Sequence, residues 1–505
     1  MTVAAIALNR FGLGAQPDDG VPDDPKAYLL AQFDRYDPRP PALAEAQTTA
    51  AVSSELAAYF DAQRQNRADR KAPPGAMMPA AGGTPPAMTA SPPMQPAMTG
   101  QKPSAPTGAP LDPVMEARRL AQRQNRQVYI DSAGLRANAA LATSAPMVER
   151  LVHFWANHFA VSADKLEVIG LAGPFEFEAI RPHVLGSFRD MLYAVERHPA
   201  MLIYLDQAQS IGPDSPFGAR AAQRNPKRRP GLNENLAREI MELHTLGVRT
   251  GYTQADVTEF ARAMTGWTTA GLGRGGGGGA RNAGNPGDFV FVPQLHEPGV
   301  RTIMGKSYPQ QGEAQAAAVL DDLAVHPATA KHVATKLVRH FVADDPPPAV
   351  VKRCEGAFLK SDGDLPTVYR ALIDSPEAWA PQPAKFKTPW EWSISMMRAL
   401  GMQQIGAQQI FGLQQQLGQP VWKPGQPSGW DDIAGSWAGP DAIMRRVEAA
   451  QRFAARAGQV IDARERAEQL FPGTLTPATR QAIARAESPQ QAVALMLVAP
   501  EFMRR

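Results

Sequence analysis

The sequence predicts a mainly α-helical, multi-helical globular protein with one small β-hairpin element and two disordered insertions. Apolar residues make up 44% of the 505 residues, which is enough for a substantial core. They recur with helical spacing through most of the chain. Two segments consist instead largely of Pro, Ala, Met and Gly with little charge, and such segments bury too little surface to offset their chain entropy.

These patterns divide the chain into five parts: an N-terminal helical segment of the core (1–71), a Pro/Ala/Met-rich disordered insertion (72–111), a helical core with the candidate site (112–270), a Gly-rich insertion followed by a β-hairpin (271–312), and a C-terminal helical part (313–505). In the last part, the amphipathic stretch HPATAKHVATKLVRHFVADDPP ends in prolines, which cannot continue a helix.

The β-structure is predicted only for FVFVPQLHEPGVRTIMGKSY, residues 289–308. Its aromatic and β-branched residues predict two short strands around a turn at 297–299. The RGGGGG run before it lacks the GK[ST] ending of a phosphate loop and follows no strand. It therefore predicts no nucleotide site.

Composition argues against several classes of function. The chain has 52 basic and 49 acidic residues, so its overall charge does not favour nucleic acid or an anionic membrane as a partner. The single cysteine, Cys354, closes no internal disulfide, and we expect it to be a small core or boundary residue. No run reaches the roughly 18 apolar residues of a membrane span, and the first residues lack a basic signal region. We therefore expect no membrane span and a cytoplasmic location.

The stretch GLNENLAREIMELHTLG concentrates polar residues on a predicted helix. An ideal helix of about 100° per residue places Glu239 and Glu242 together at the edge of the apolar face, with Asn235 and Arg238 beside them. Two adjacent carboxylates suit metal ligation, acid–base catalysis or a structural network with an arginine such as Arg262. The residues leave these three alternatives open.

Two histidines complete the candidate set. His158, in HFWANHF, lies on an aromatic stripe, where a histidine is more often a core residue than a ligand. His296 lies at the predicted β turn after the Gly-rich run and could close over a site. If both converge with Glu239 and Glu242, they form a set suited to Zn, Mn or Fe. His244 is excluded, because the ideal helix places it roughly 140–160° from the two carboxylates.

The segment GQPVWKPGQPSGW is rich in tryptophan and glycine. Trp422, Trp430 and the nearby Trp437 could form a surface on which carbohydrate stacks. A packed irregular loop is the commoner structure for such a segment, and both interpretations stay open.

Several motifs along the chain resemble those of one family: RFGLG, FWANHF, NENLAREIMELHTLG with YTQADVTEFARAMTGW, HEPGVRTIMGKSY, HPATAKHVATKLVRHFV and GQPVWKPGQPSGWDD. The chain resembles the large bacterial domain of unknown function 1800 family over nearly its whole length, apart from the two inserts. The resemblance implies no activity, but it implies a set of functional residues: Trp155, Asn157, His158, Asn233, Glu234, Asn235, Arg238, Glu239, Glu242 and His296. The chain departs from the family pattern at Glu297 and Arg301, where the family usually has Asp and Lys. The family often has Phe at the position of His244.

Members of this family are often exported, and their genes often neighbour those of a sulfatase-like family exported by the twin-arginine route. The resemblance therefore implies a sulfatase-like partner and a periplasmic location as an alternative to the cytoplasm. From the first residues we expect no signal segment, which does not favour the periplasmic alternative.

Two functional hypotheses follow. In the first, the protein is a hydrolase-like enzyme, with a divalent metal as an option, and its candidate catalytic residues are Glu239, Glu242, His158, His296 and Arg238. Candidate substrate-binding residues are Asn157, Asn233, Glu234, Asn235 and Trp155, and candidate metal ligands are His158, Glu239, Glu242 and His296. In the second, the protein is a non-catalytic helical partner or assembly protein for a sulfatase-like exported protein.

Overall fold

The computed structural model describes residues 1–17, 19–69, 113–225, 231–272, 280, 283–457 and 460–505. These residues form a mainly α-helical protein, which confirms the predicted fold class. The Pro/Ala/Met-rich insertion (72–111) and the glycine run at 273–279 lie outside the described residues. The two predicted disordered insertions and the five-part division therefore stay predictions.

The α-helices of the first half are α1 (Val3–Ile6), α2 (Pro25–Arg35), α3 (Thr49–Asp69), α4 (Pro113–Ala142), α5 (Pro146–His158), α6 (Leu166–Ile169), α7 (Ala172–Pro174), α8 (Phe188–Glu196), α9 (Pro199–Tyr204), α10 (Pro216–Arg224), α11 (Asn235–Glu239) and α12 (Gln254–Met264). Those of the second half are α13 (Glu313–Ala324), α14 (Pro327–Phe341), α15 (Pro348–Lys360), α16 (Leu365–Ile373), α17 (Pro389–Ala399), α18 (Ala407–Leu417), α19 (Ala434–Trp437), α20 (Pro440–Ala457), α21 (Ala463–Leu470), α22 (Pro477–Ala484), α23 (Pro489–Val498) and α24 (Pro500–Met503).

Local sequence explains where the helices near the site begin. Proline is the first residue of α5, α14 and α17, a position where its missing N–H would have no helical partner in any case. At the start of α17, Thr388 and Glu391 form a capping box, in which each side chain accepts from the backbone N–H of the other. The capping box fixes the Glu391 carboxylate at the N-terminal end of α17.

A π turn at Ile240–His244 follows α11 directly. The N–H of Thr245 donates to the carbonyl of Ile240 at 2.9 Å, five residues earlier. A π turn holds more residues than an α turn, so the ideal α-helical angles used for the sequence do not apply across this segment.

The β-structure consists of two small antiparallel pairs: β1 (Trp267–Thr269) with β2 (Phe289–Phe291), and β3 (Arg301–Ile303) with β4 (Lys306–Tyr308). A β-hairpin is therefore present as predicted, but the predicted turn at 297–299 is wrong. The hairpin turns at Met304 and Gly305 instead, whose φ angles of 51° and 77° are the positive pair that a tight two-residue turn needs. The FVF strand pairs with residues that precede the glycine run, a long-range partner that local sequence does not reveal.

One continuous hydrophobic core runs from Ile6 near the start to Met503 near the end. The long helix α4 packs against α3 and α18, and α14 packs against α15. Cys354, in α15, is fully buried, so it is a core residue and not a boundary residue. Within the described ranges, no helix combines the length and the apolarity needed to cross a membrane.

Candidate active site

A cavity of about 450 Å³ lies between α5, α14, the start of α17 and the irregular loop 419–433. This volume falls within the range of small-molecule sites, about 300–1,000 Å³. Polar side chains from all of these elements line it, among them Arg150, Asn157, Lys336, His340, Glu391 and Asp432.

His340 and Asp432 form a carboxylate–imidazole pair in the wall of the cavity. The Nδ1 atom of His340 donates to Oδ2 of Asp432 at 2.7 Å. Because Nδ1 carries the proton, the lone pair of the neutral ring lies on Nε2. Nε2 is buried, lies 4.0 Å from Oε1 of Glu391 and makes no hydrogen bond to any described residue. Burial lowers the pKa of His340, so the ring is neutral near pH 7.

Lys385 holds the Asp432 carboxylate in place. Its ammonium lies 3.2 Å from Oδ1 of Asp432 and 2.6 Å from Oδ1 of Asp344. Burial opposes the ionisation of Asp432, but His340 and Lys385 outweigh it and lower its pKa. Asp432 therefore stays ionised and orients the imidazole.

Lys336 lies one helical turn before His340 on α14 and also lines the cavity. Within the described ranges, no side chain or carbonyl pairs with its ammonium. Burial lowers the pKa of Lys336 to about 8, against the opposing effect of Asp432. At neutral pH, Lys336 is therefore a cation with free N–H donors at the cavity.

Glu391 is a further ionised group at the cavity. Its Oε1 accepts from Arg150 and lies 2.8 Å from Nη2 of Arg505, while its Oε2 accepts from the N–H of Thr388 at 3.0 Å. Burial opposes ionisation, but Arg505 and Arg150 hold the pKa of Glu391 well below its ordinary value. An antiparallel backbone contact with Lys385, at 2.9 and 3.2 Å, places Arg505 beside the carboxylate.

Asn157 fixes the loop that closes one side of the cavity. Its Nδ2 donates to the carbonyl of Trp430 at 2.8 Å, and its Oδ1 accepts from the N–H of the same residue at 2.7 Å. Gly429, with φ of 79°, packs so closely that an added Cβ would lie 2.3 Å from the carbonyl oxygen of Asn157. Asn157 thus supports the cavity through the backbone of the loop.

The tryptophans of this region are packed rather than freely exposed. The guanidinium of Arg136 lies over the rings of Trp390 and Trp422, at 4.3 and 5.4 Å. Trp430 packs against Trp437 with 5.8 Å between ring centroids. These contacts favour the packed loop over the carbohydrate-stacking surface.

His158 is buried at the edge of the cavity. Its Nε2 donates to the carbonyl of His244 at 3.1 Å, so the lone pair of its ring lies on Nδ1, which has no partner among the described residues. Burial, and then the charge of Lys336, lower the pKa of His158 well below 6.5. His244 itself donates to Glu196 at 2.7 Å. His244 thus contacts His158 through its backbone carbonyl, while its side chain binds Glu196.

Trp155 lies beside His158 on α5 but does not line the cavity. It is fully buried, and its indole N–H donates to the hydroxyl of Tyr369 at 2.7 Å. This is the environment of a core residue.

The acidic residues predicted from the sequence lie on a separate, partly exposed face, and none of them lines the cavity. Arg238 pairs with Glu234 at 3.0 Å and lies 3.6 Å from Glu242. The side chain of Asn233 accepts from the N–H of Asn235 at 2.9 Å and so shapes the start of α11. These contacts are those of a solvated polar surface.

Glu239 and His296 are not brought together with His158. Burial raises the pKa of Glu239, whose carboxylate has no ion pair among the described residues. The Nδ1 atom of His296 donates to the carbonyl of Thr265 at 2.9 Å. Arg262, the predicted partner of the carboxylates of α11 and the π turn, pairs instead with Glu297 at 2.8 Å. Arg262 is therefore not the partner of these carboxylates, because the chain folds it toward the β-structure.

The described part of the chain contains no group of three or more His, Cys, Asp or Glu side chains that could hold a metal ion. His158, Glu239, Glu242 and His296 accordingly form no such group in this structure. The geometry gives the predicted metal site no support.

Comparison with known proteins gives one result. The family model described as "Protein of unknown function (DUF1800)" matches residues 6–504, essentially the whole chain. The chain belongs to the DUF1800 family. Neither the curated proteins nor the solved structures that were compared gave a match.

The DUF1800 match confirms the resemblance, but most cavity residues were not predicted from it. Asn157 and His158 line the cavity as part of the FWANHF motif, whereas Lys336, His340 and Asp432 had not been singled out. The sequence did contain a signal for these three residues. Lys336 and His340 are spaced i, i+4 in one quoted motif, and Asp432 ends another.

Asn157→Ala is expected to loosen the loop of this DUF1800 protein. Losing both hydrogen bonds to Trp430 should cost about 1–3 kcal/mol and speed proteolysis within residues 423–430. Limited proteolysis and urea unfolding measure the two effects. Gln426→Ala, an exposed change in the same loop, should have neither effect. Equal cleavage of Asn157→Ala and the wild type would show that Asn157 does not hold the loop.

A second expectation concerns acid stability. Glu149 is buried and pairs with Arg181 through both carboxylate oxygens, at 2.7 and 2.9 Å. Burial opposes ionisation, but Arg181 holds the pKa of Glu149 far below its ordinary value. The stability gained is fully present above the unfolded pKa of about 4.3 and is lost as the pH falls below it.

We therefore expect the free energy of unfolding to fall more steeply below about pH 4.3 in the wild type than in Glu149→Gln. Urea unfolding from pH 7 to pH 3 tests this. Parallel curves for the two proteins would contradict the assignment of this acid sensitivity to Glu149.

Proposed function

We propose that the cavity is the active site of a hydrolase in which His340, oriented by Asp432, acts as general base. The observation that carries the proposal is the hydrogen bond between His340 and Asp432. His340 lines the cavity, and its Nε2 makes no hydrogen bond to a described residue. A neutral imidazole oriented by a carboxylate is a common arrangement for removing a proton from water or a hydroxyl.

In the proposed reaction, Nε2 of His340 takes a proton from a water molecule as the water oxygen attacks the substrate. Asp432 stabilises the imidazolium that forms, and the imidazolium then gives its proton to the leaving group. Lys336 stabilises the negative charge that develops on the attacked group. The support for its role is its unpartnered ammonium at the same cavity.

The divalent metal suggested by the sequence is not part of this proposal. Its candidate ligands form no cluster among the described residues. Glu239, Glu242 and Arg238 lie on a face that does not line the cavity, and we assign them no step in the reaction.

A non-catalytic partner or assembly protein, for example for a sulfatase-like exported protein, is the alternative. Ion pairs between buried side chains near the cavity favour this alternative. Arg136 pairs with Glu176 at 2.9 Å, and Arg181 pairs with Glu149 at 2.7 Å. Such pairs fix packing and leave no group for chemistry.

A hydrolysis screen tests the proposal. Wild-type protein, His340→Gln and His183→Gln are assayed with esters, amides, phosphate esters, sulfate esters and glycosides. His183 is half-buried outside the cavity and serves as the matched control. We expect turnover by the wild type and His183→Gln, and a kcat about 10²–10⁴-fold lower in His340→Gln. No turnover in any class, or equal turnover in His340→Gln, would overturn the proposal.

A further inference from the structure

Buried positive charge exceeds buried negative charge around Glu391. Arg150, Arg446 and Arg505 are each at most 1% exposed, and so is Lys387, although burial lowers the pKa of Lys387 to about 7 and leaves it only partly charged at neutral pH. Glu391 is an acidic group whose charge acts on Arg150, Lys387 and Arg446, and it pairs with Arg505. A buried charge is costly unless it is paired, so this region favours an additional anion.

Several cationic donors in this region have no acceptor. They are Nη2 of Arg150, Nζ of Lys387, and Nε and Nη1 of Arg505, each buried and without a hydrogen bond to any described residue. Arg150 also lines the cavity, as does Lys336 with its unpartnered ammonium. Two cationic groups with free donors therefore belong to the wall of one cavity.

The carboxylates of the cavity, in contrast, already have partners. Asp344 and Asp432 share Lys385. Asp431 accepts from the hydroxyl of Ser436 at 2.8 Å. What is missing is an acceptor for the free donors of Arg150 and Lys336.

We propose that the cavity binds its ligand through an anionic group, a carboxylate, sulfate or phosphate, held between the guanidinium of Arg150 and the ammonium of Lys336. That the anionic group belongs to a substrate rests on the proposed function. Binding of the anion to the cavity does not depend on turnover. Guanidinium and ammonium groups are the side chains that bind such oxyanions best.

The test is isothermal titration calorimetry with sodium acetate, sulfate and phosphate at constant ionic strength, with chloride as the reference. Lys336→Met removes the ammonium, and Lys331→Met removes an exposed lysine from the same helix. We expect saturable binding of at least one oxyanion by the wild type and Lys331→Met, and at least tenfold weaker binding by Lys336→Met. The ranking of the three anions identifies the kind of group.

A proton measurement separates direct binding from a structural effect of Lys336. An anion beside the ammonium raises the pKa of Lys336 from its present value of about 8. Binding at pH 8 should therefore take up a fraction of a proton, visible as a heat that depends on the buffer, and Lys336→Met should abolish this uptake. Circular dichroism confirms that the variant is folded.

The outcomes are distinct for the two proposals. Saturable binding that depends on Lys336, in a protein without turnover, supports the anion site and overturns the hydrolase. Turnover that depends on His340, without saturable binding of any oxyanion, overturns the anion site. Equal affinity and equal proton uptake in Lys336→Met also overturn it.

Discussion

Glu391→Ala is expected to destabilise the protein by about 3–5 kcal/mol. The carboxylate is buried against Arg150 and Arg505 and also accepts from the N–H of Thr388. Removing it leaves two buried guanidinium groups without their carboxylate and removes half of the capping box of α17. The free energy of unfolding in urea at pH 7 measures the effect.

Glu377→Ala is the matched control. Glu377 pairs with Arg353 at the surface, with about 40% of each side chain exposed, and its loss should cost no more than about 1 kcal/mol. Similar small effects in both variants would mean that the buried cations do not depend on Glu391. That result would also weaken the argument for an anion at the cavity.

Asp432→Asn is expected to lower kcat by about 10²–10⁴-fold for any substrate found by the hydrolysis screen. The amide cannot stabilise the imidazolium of His340 as the carboxylate does. Asp345→Asn, an exposed change beside Asp344, should keep the wild-type rate. An unchanged kcat in Asp432→Asn would show that the pair has no part in catalysis.

The pH dependence of the same variant has a definite sign. Burial lowers the pKa of His340, and Asp432 is the group that most strongly opposes this. Because His340 must be neutral to act as a base, the wild type should keep its kcat/KM below the ordinary histidine pKa of about 6.5. In Asp432→Asn, the acid limb of the kcat/KM profile should move to still lower pH, while the plateau value of kcat/KM falls. A limb that moved to higher pH would contradict the assignment.

Local patterns in the sequence were enough for the fold class. Helical periodicity and prolines predicted α14 and its end, and the mid-helix position of Cys354 predicted a core or boundary residue. The β-structure was harder, because the FVF strand pairs with β1 across the glycine run and the hairpin turns at Met304 and Gly305. Strand pairing depends on tertiary contacts that a single sequence does not show.

The candidate site shows the same limit. The sequence placed Asn157 and His158 in a functional motif, and both line the cavity. It favoured Glu239 and Glu242 because an ideal helix puts them on one edge, but the π turn after Glu239 changes that geometry. The His340–Asp432 pair joins residues 92 positions apart, and no spacing rule reveals such a pair.

Nitrogen NMR of protein labelled with ¹⁵N at its nine histidines tests the central claim most directly, with His340→Gln to assign the signal. At pH 7 we predict that Nδ1 of His340 carries a proton and that Nε2 does not, and that the ring titrates below about pH 6.5. This result would show a neutral base oriented by Asp432. A ring protonated on both nitrogens at pH 7, or a proton on Nε2 alone, would contradict the account, because His340 could then take no proton at the cavity.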